Sequence, residues 1–305
     1  MKNKKAMILL LCCLFFILMI LNCSVMEESA GIFEKVSKVV TSDKETASKT
    51  TKAVRSSFGD ISEEEEYYIG RAVAAIILSR YPVYKDDDLN HYINRVGKAV
   101  VFHSDRPETY AGYHFLVLDT EEVNVLSSPS GFIFISKGLL KRCEDEDMLG
   151  CILAHEVSHV QEKHGLQAIK NSRLVDAFAL IGEQAMKKYG PEKLAKLTDV
   201  FEGALSDIAE KLIERGYDRK YEYEADRLSV KIAAQTGYDP NSLIGFLETM
   251  KQESSQKGPK GWYKTHPSAE NRIRRAQKEV TSLNYHSEKV PVRSIRFNKA
   301  VQGLH

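Results

Sequence analysis

Net charge is almost absent from this chain. Its 43 lysines and arginines face 42 aspartates and glutamates, and no Lys/Arg block is interleaved with aromatics. That leaves no electrostatic footprint for a nucleic-acid partner, and none is expected. Cysteine is scarce where it would matter. Of the five cysteines, Cys12, Cys13 and Cys23 sit in or just after an apolar run, so only Cys143 and Cys151 belong to the body of the chain. Two thiols so placed across the start of a helix do not favour a bridge, and a disulfide scaffold is excluded. No internal repeat is apparent. Only one long hydrophobic run exists, from Ala6 to Leu21.

That run follows the basic Met1-Lys2-Asn3-Lys4-Lys5, the order of a targeting segment. It is longer than a typical signal core and short for a membrane span. Asn22-Cys23 comes next, resembling the lipobox of a bacterial lipoprotein, although Asn22 stands where Gly, Ala or Ser is usual. The expectation is a leader or anchor over 1–22, lipidated at Cys23, a polar tether over 23–60, and a body outside the cytoplasm, attached to the membrane on the periplasmic side.

From Ile61 the pattern tightens. Acids at Glu63 to Glu65 open a helix whose stripe is Ile69, Val73, Ile76 and Ile77, and Tyr81-Pro82 ends it. A second helix is expected over Asp86–Phe102. Strands follow at Tyr113–Leu118 and Gly131–Ser136, with a third near Val123–Leu126. Helices then dominate: Gly138–Arg142, Asp145–His164, one or more between Gln167 and Arg215, Tyr221–Thr236, Asn241–Gln252 and Ser268–Ser282. The class is α+β, mostly helical with a small antiparallel sheet. One domain is expected over 61–283, with 284–305 as a C-terminal extension.

Ala154-His155-Glu156-Val157-Ser158-His159 contains H-E-x-x-H. Residues four apart share a helix face, so both imidazoles reach one ion while Glu156 stands beside them; two neutral nitrogens suit Zn²⁺. The helix is flanked by Met148, Leu149, Cys151, Ile152 and Leu153, which makes it a core helix. His164 projects from nearly the opposite side, so it and Glu162 are expected to be plain helix surface. A third ligand is needed. In Tyr221-Glu222-Tyr223-Glu224-Ala225-Asp226, a helix puts Glu222 and Asp226 on one face, with Glu224 pointing away. Glu222 is then the candidate ligand, and Asp226 the acid that orients a ligand histidine. On spacing alone, a surface helix with solvated acids remains the alternative.

HEVSH followed by EYEAD resembles the zinc metallopeptidase family of the CAAX prenyl endopeptidase, the heat-shock protease HtpX and periplasmic proteases of outer-membrane quality control. The stretch Asn124–Leu140 is similar to that family's Asn-to-Gly segment, with Pro129-Ser130-Gly131 where Pro-Gly-Gly is usual; His266-Pro267 and Arg272 match its His-Pro element. The resemblance implies a zincin-like (gluzincin) domain with one Zn²⁺ on His155, His159 and Glu222, and Asp226 paired behind them. It implies general-base chemistry at Glu156, which takes a proton from a zinc-activated water that attacks a peptide bond. It makes His266 and Arg272 candidate donors to the oxyanion, or His266 a latch over the metal.

Asn124 comes with the resemblance as a substrate-site residue. Gly131, Phe132, Ile133 and Phe134 are expected on an exposed edge strand that pairs an extended peptide, although a plain core strand would read the same way. Apolar Leu174, Phe178, Leu180 and Ile181 fit a lid, a membrane-facing element or ordinary packing. The function expected is a membrane-tethered endopeptidase acting on misfolded or unassembled envelope proteins. The alternative is a latched, chaperone-like lipoprotein that binds the same polypeptides with little cleavage.

Overall fold

A computed structural model of the chain describes residues 62–170, 206, 209–257, 262–266, 269–285 and 290–304. The expected leader, tether and Cys23, the Leu174–Ile181 stretch, and Pro267 and Ser268 lie outside the described residues. Helix α1 spans Glu63–Arg80 and α2 spans Asp87–Phe102. Asp86 caps α2 by accepting from Leu89 N, with Asp87 and Asp88 in the first turn. Its apolar stripe, Leu89, Tyr92, Ile93, Val96 and Val100, is the one the spacing predicts, and it is buried.

Strands β1 (His114–Leu118), β2 (Val125–Ser128) and β3 (Phe132–Ser136) form one sheet in the order β1-β3-β2. β2 is antiparallel to β3, with Ser127 opposite Ile133, whereas β1 is parallel to β3, with Phe115 opposite Ile133. The sheet is therefore mixed, not antiparallel, and β3 is its centre, not an edge. The chain leaves the end of β1, passes beyond β3, runs back as β2 and returns between the two. Ile133, Phe134, Ile135 and Ser136 are all buried, as expected of a strand covered on both faces and both sides.

Helix α3 (Glu146–Gln161) is the hub; α2, β2 and the later helices α4 (Arg219–Thr236), α5 (Asn241–Lys257) and α7 (Pro291–Val301) pack on it. Asp145 caps α3 through Met148 N. The helix does not run on to His164. Lys163 takes φ 54 and pairs with buried Glu66, and Arg106 donates to the Val160 carbonyl, so the chain turns and a separate short helix begins at His164. Helix α4 ends at Gly237, whose φ of 86 suits a residue without Cβ. Helix α6 (Ala269–Leu283) packs on α4 and α5.

Helix α7 has no counterpart in the sequence reading. It buries Phe297 and Val301, and Arg296 pairs with Glu146 at the start of α3. Residues 61–169 and 205–305 form one compact unit. Cys143 and Cys151 are free and buried. Among the described residues, no helix is long and apolar enough to cross a membrane.

Candidate metal centre

His155 and His159 lie one turn apart on the buried face of α3, with their Nε2 atoms 3.1 Å apart. Helix α4 brings Glu222 against them, its two oxygens 3.6 Å from His155 Nε2 and 3.5 Å from His159 Nε2. His266 enters from the turn after the short helix Trp262–Thr265, which is anchored by Trp262 N donating to Val123 O at 2.7 Å. Its ring stacks on Trp262 at 5.0 Å, and Thr265 Oγ1 lies 2.9 Å from its Nδ1. One ligand atom from each of His155, His159, Glu222 and His266 falls within 4.8 Å of every other. Gly216 makes this approach possible: at φ 66, a Cβ there would lie 1.6 Å from the Thr265 carbonyl oxygen.

This group fits a cation on its own chemistry. Both Glu222 oxygens are buried without a hydrogen-bond partner, and Arg272 Nη1, 3.1 Å away, forms an ion pair but no hydrogen bond. A buried carboxylate left open beside converging imidazole nitrogens is costly unless an ion completes it. Two histidines and a glutamate with a further position are the donor set of a catalytic zinc site.

The surroundings hold these side chains in place. His155 Nδ1 lies 3.1 Å from Asp226 Oδ1, and Asp226 is held by Nε and Nη2 of Arg272, each at 2.7 Å. Burial alone would lower the His155 pKa, but Asp226 and then Glu222 outweigh it and raise it. Glu156 sits beside the group with Oε2 accepting from Ser127 Oγ at 2.7 Å, while Oε1 is buried and unpartnered, 3.6 Å from His266 Nε2. Burial alone would raise this carboxyl; His266, then the charges of His159 and His155, hold it down at about 2.

Two expectations need correction. His164 and Glu162 are not equivalent surface residues: His164 is fully buried, with Nδ1 2.9 Å from His159 Nδ1 and Nε2 3.3 Å from Glu224 Oε2. The break at Lys163 invalidates the helical projection that put His164 on the far side. Burial, then His159 and His155, push its pKa down to about 3. Glu224, expected to point away, is the partner of this histidine. Second, Gly131, Phe132, Ile133 and Phe134 cannot pair a peptide along β3, because both sides of that strand are already bonded. The strand beside Glu156 with a single partner is β2, and Tyr217 Oη already donates to its Ser127 carbonyl at 3.0 Å. Asn124 directly precedes β2, with its backbone N donating to Ser136 Oγ and its Oδ1 accepting from Val125 N.

Ser127, Tyr217 and Trp262 escaped the sequence reading as site residues. Tyr217 stacks on His159 with ring centroids 4.1 Å apart. No local pattern marks a serine as the partner of a glutamate on another element. The tyrosine does stand next to Gly216 in the approach to the Glu222 helix, the one available signal.

Fold and site together define an α+β, zincin-like domain with a single zinc site. Residues 87–280 match peptidase family M48, and the chain belongs to that family. It is similar to the beta-barrel assembly-enhancing protease of Escherichia coli K12, at 25% identity over 74% of this chain and 45% of that protein. It is also similar to the mitochondrial metalloendopeptidase OMA1 of Schizosaccharomyces pombe, at 27% over 76% of this chain and 68% of that one. The OMA1 of Bos taurus is 32% identical over 51% of this chain and 30% of its own. The chain thus spans less than half the length of the bacterial relatives it matches.

Proposed function

We propose that this protein is a zinc-dependent endopeptidase in which His155, His159 and Glu222 hold the metal and Glu156 is the general base. The observation that carries this is the asymmetry of Glu156: one oxygen is fixed by Ser127, while the other stays buried and unpartnered beside the ligand group. A structural metal site has no need of such a group. When bound, zinc supplies Lewis acidity to water and to the scissile carbonyl. Glu156 Oε1 takes the proton of the attacking water and returns it to the leaving amine. Asp226, gripped by Arg272, keeps the His155 proton on Nδ1 and so leaves the Nε2 lone pair free to hold the metal. Arg272 acts mainly through Asp226. Its Nη1, without a hydrogen bond, remains the second candidate donor to the oxyanion after His266.

His266 supports a second reading. Its Nε2 lies 3.9 Å from Glu222 Oε1, among the other donors, so His266 would help hold a bound metal and would have to withdraw for substrate to enter. A chain held so would bind polypeptides with little cleavage. The names of the bacterial relatives, together with the basic, apolar and cysteine-bearing start of the sequence, support a protease lipidated at Cys23 in the bacterial envelope and acting on misfolded or unassembled envelope proteins. Casein cleavage by the wild type beside Glu156→Gln and His266→Ala separates the readings. Under the first, Glu156→Gln keeps its zinc and loses about 10²- to 10⁴-fold in rate. Under the latch, His266→Ala cleaves faster than wild type. Zinc binding with no Glu156-dependent cleavage in any variant would sink the enzyme reading.

A further inference from the structure

The two histidines of α3 are supported differently on the side away from the metal group. His155 Nδ1 meets the Asp226 carboxylate directly. His159 Nδ1 meets another imidazole, His164 Nδ1, at 2.9 Å, and His164 Nε2 in turn lies 3.3 Å from Glu224 Oε2. His164 is fully buried, with the Tyr221 ring 4.4 Å from its own, and the left-handed turn at Lys163 carries it beneath His159.

A hydrogen bond between two ring nitrogens needs one proton and one lone pair. With the His159 Nε2 lone pair directed at the metal group, its proton sits on Nδ1, and His164 Nδ1 must accept. The His164 proton is then on Nε2, the atom that faces Glu224. An ionised carboxylate only accepts, so Glu224 sets the direction of the whole chain of bonds. We propose that Glu224 and His164 form a hydrogen-bonded relay that fixes the tautomer and orientation of His159 and so acts as the positioning arm of the second ligand histidine, as Asp226 does for the first. The relay rests on the ligand set proposed above, but not on peptide cleavage, because its consequence is metal affinity.

The test uses the full chain and no substrate: zinc affinity by competition with a chelating dye, and the visible spectrum of the cobalt-substituted protein. His164→Leu fills similar space without an acceptor, and is expected to weaken zinc about 10- to 100-fold and to shift the cobalt bands. His164→Asn puts an amide oxygen near the former Nδ1 and recovers most of that loss. Glu224→Ala weakens zinc severalfold, less than His164→Leu, because Glu224 is 42% exposed and water can take its place. Affinity and spectrum unchanged in His164→Leu, or His164→Asn as weak as His164→Leu, overturn the relay. Should His164→Leu fail to fold, unchanged zinc affinity in Glu224→Ala overturns it instead. His159→Ala serves as the control: if it binds zinc like wild type, the ligand set itself fails, and the relay with it.

Discussion

Helix α3 buries two glutamates, and the two are treated in opposite ways. At the first turn, Glu146 accepts from Tyr92 and Tyr238 at 2.9 and 3.1 Å and from both arms of the Arg296 guanidinium. Further along, Glu156 keeps one oxygen bare, and Glu222 beside it keeps two. Glu66 repeats the first pattern, bound by Arg106 and by Ser130 N. A buried carboxylate whose lone pairs are all taken holds elements together; one left open in the same core is reserved for something else. Burial alone does not separate structure from chemistry here, but saturation does.

Substituting one glutamate of each kind separates the two roles. Glu146→Ala leaves two buried tyrosine hydroxyls without an acceptor, at about 1–3 kcal/mol each, and frees the end of α7. We expect a loss of about 2–5 kcal/mol in urea unfolding, with zinc affinity unchanged. Glu222→Gln should do the reverse, abolishing tight zinc binding while destabilising the metal-free protein less than Glu146→Ala does, since it keeps the side-chain volume and loses only the ion pair to Arg272, whose guanidinium stays paired with Asp226. Equal destabilisation by both would erase the distinction.

A smaller effect comes with pH. Burial pushes the Glu146 carboxyl up, but Arg296 and then Tyr92 more than offset this, so its folded pKa lies below the ordinary value. The unfolded chain therefore binds this proton more tightly. The stabilisation is complete above about pH 4.3, the ordinary glutamate value, and is lost as pH falls through the folded pKa. Acid unfolding followed by circular dichroism should be shallower in Arg296→Ala than in wild type, and an unchanged slope would count against the pairing.

The smallest effect sharpens the saturation rule. Ser130 sits at φ 63 beside the Glu66 cluster, with its Oγ buried and unpartnered and outside the group of candidate ligands. An orphan of that kind is only a cost. Ser130→Gly removes both the hydroxyl and the left-handed strain, and should stabilise by about 1 kcal/mol, or roughly 2–4 °C in Tm by calorimetry.

Much of the site was legible because its spacings are local. His155, Glu156 and His159 lie within two turns of one helix, and Glu222 and Asp226 within two turns of another, so helical periodicity alone puts each set on one face. The same periodicity failed at His164, where a single left-handed residue held by Glu66 from a distant helix breaks the register. It failed at β3 as well. A run such as Phe132-Ile133-Phe134-Ile135 suits an edge or a centre, and only the path of the chain around it decides which. Helix α7 was missed because its sparse anchors, Phe297 and Val301, gain meaning only from the surface they meet.

The class of fold, the candidate ligand pair His155 and His159 with Glu156 between them, and the metallopeptidase pattern were readable from the chain alone, since each rests on local periodicity and spacing. The tertiary structure decided what surrounds them. Ser127 on Glu156, Tyr217 on His159, and Arg272 on Asp226 join elements far apart in the chain, and His164 meets His159 only because the helix breaks between them. Such pairings carry no period in sequence, because a side chain's partner across a packed core is set by where whole elements come to rest.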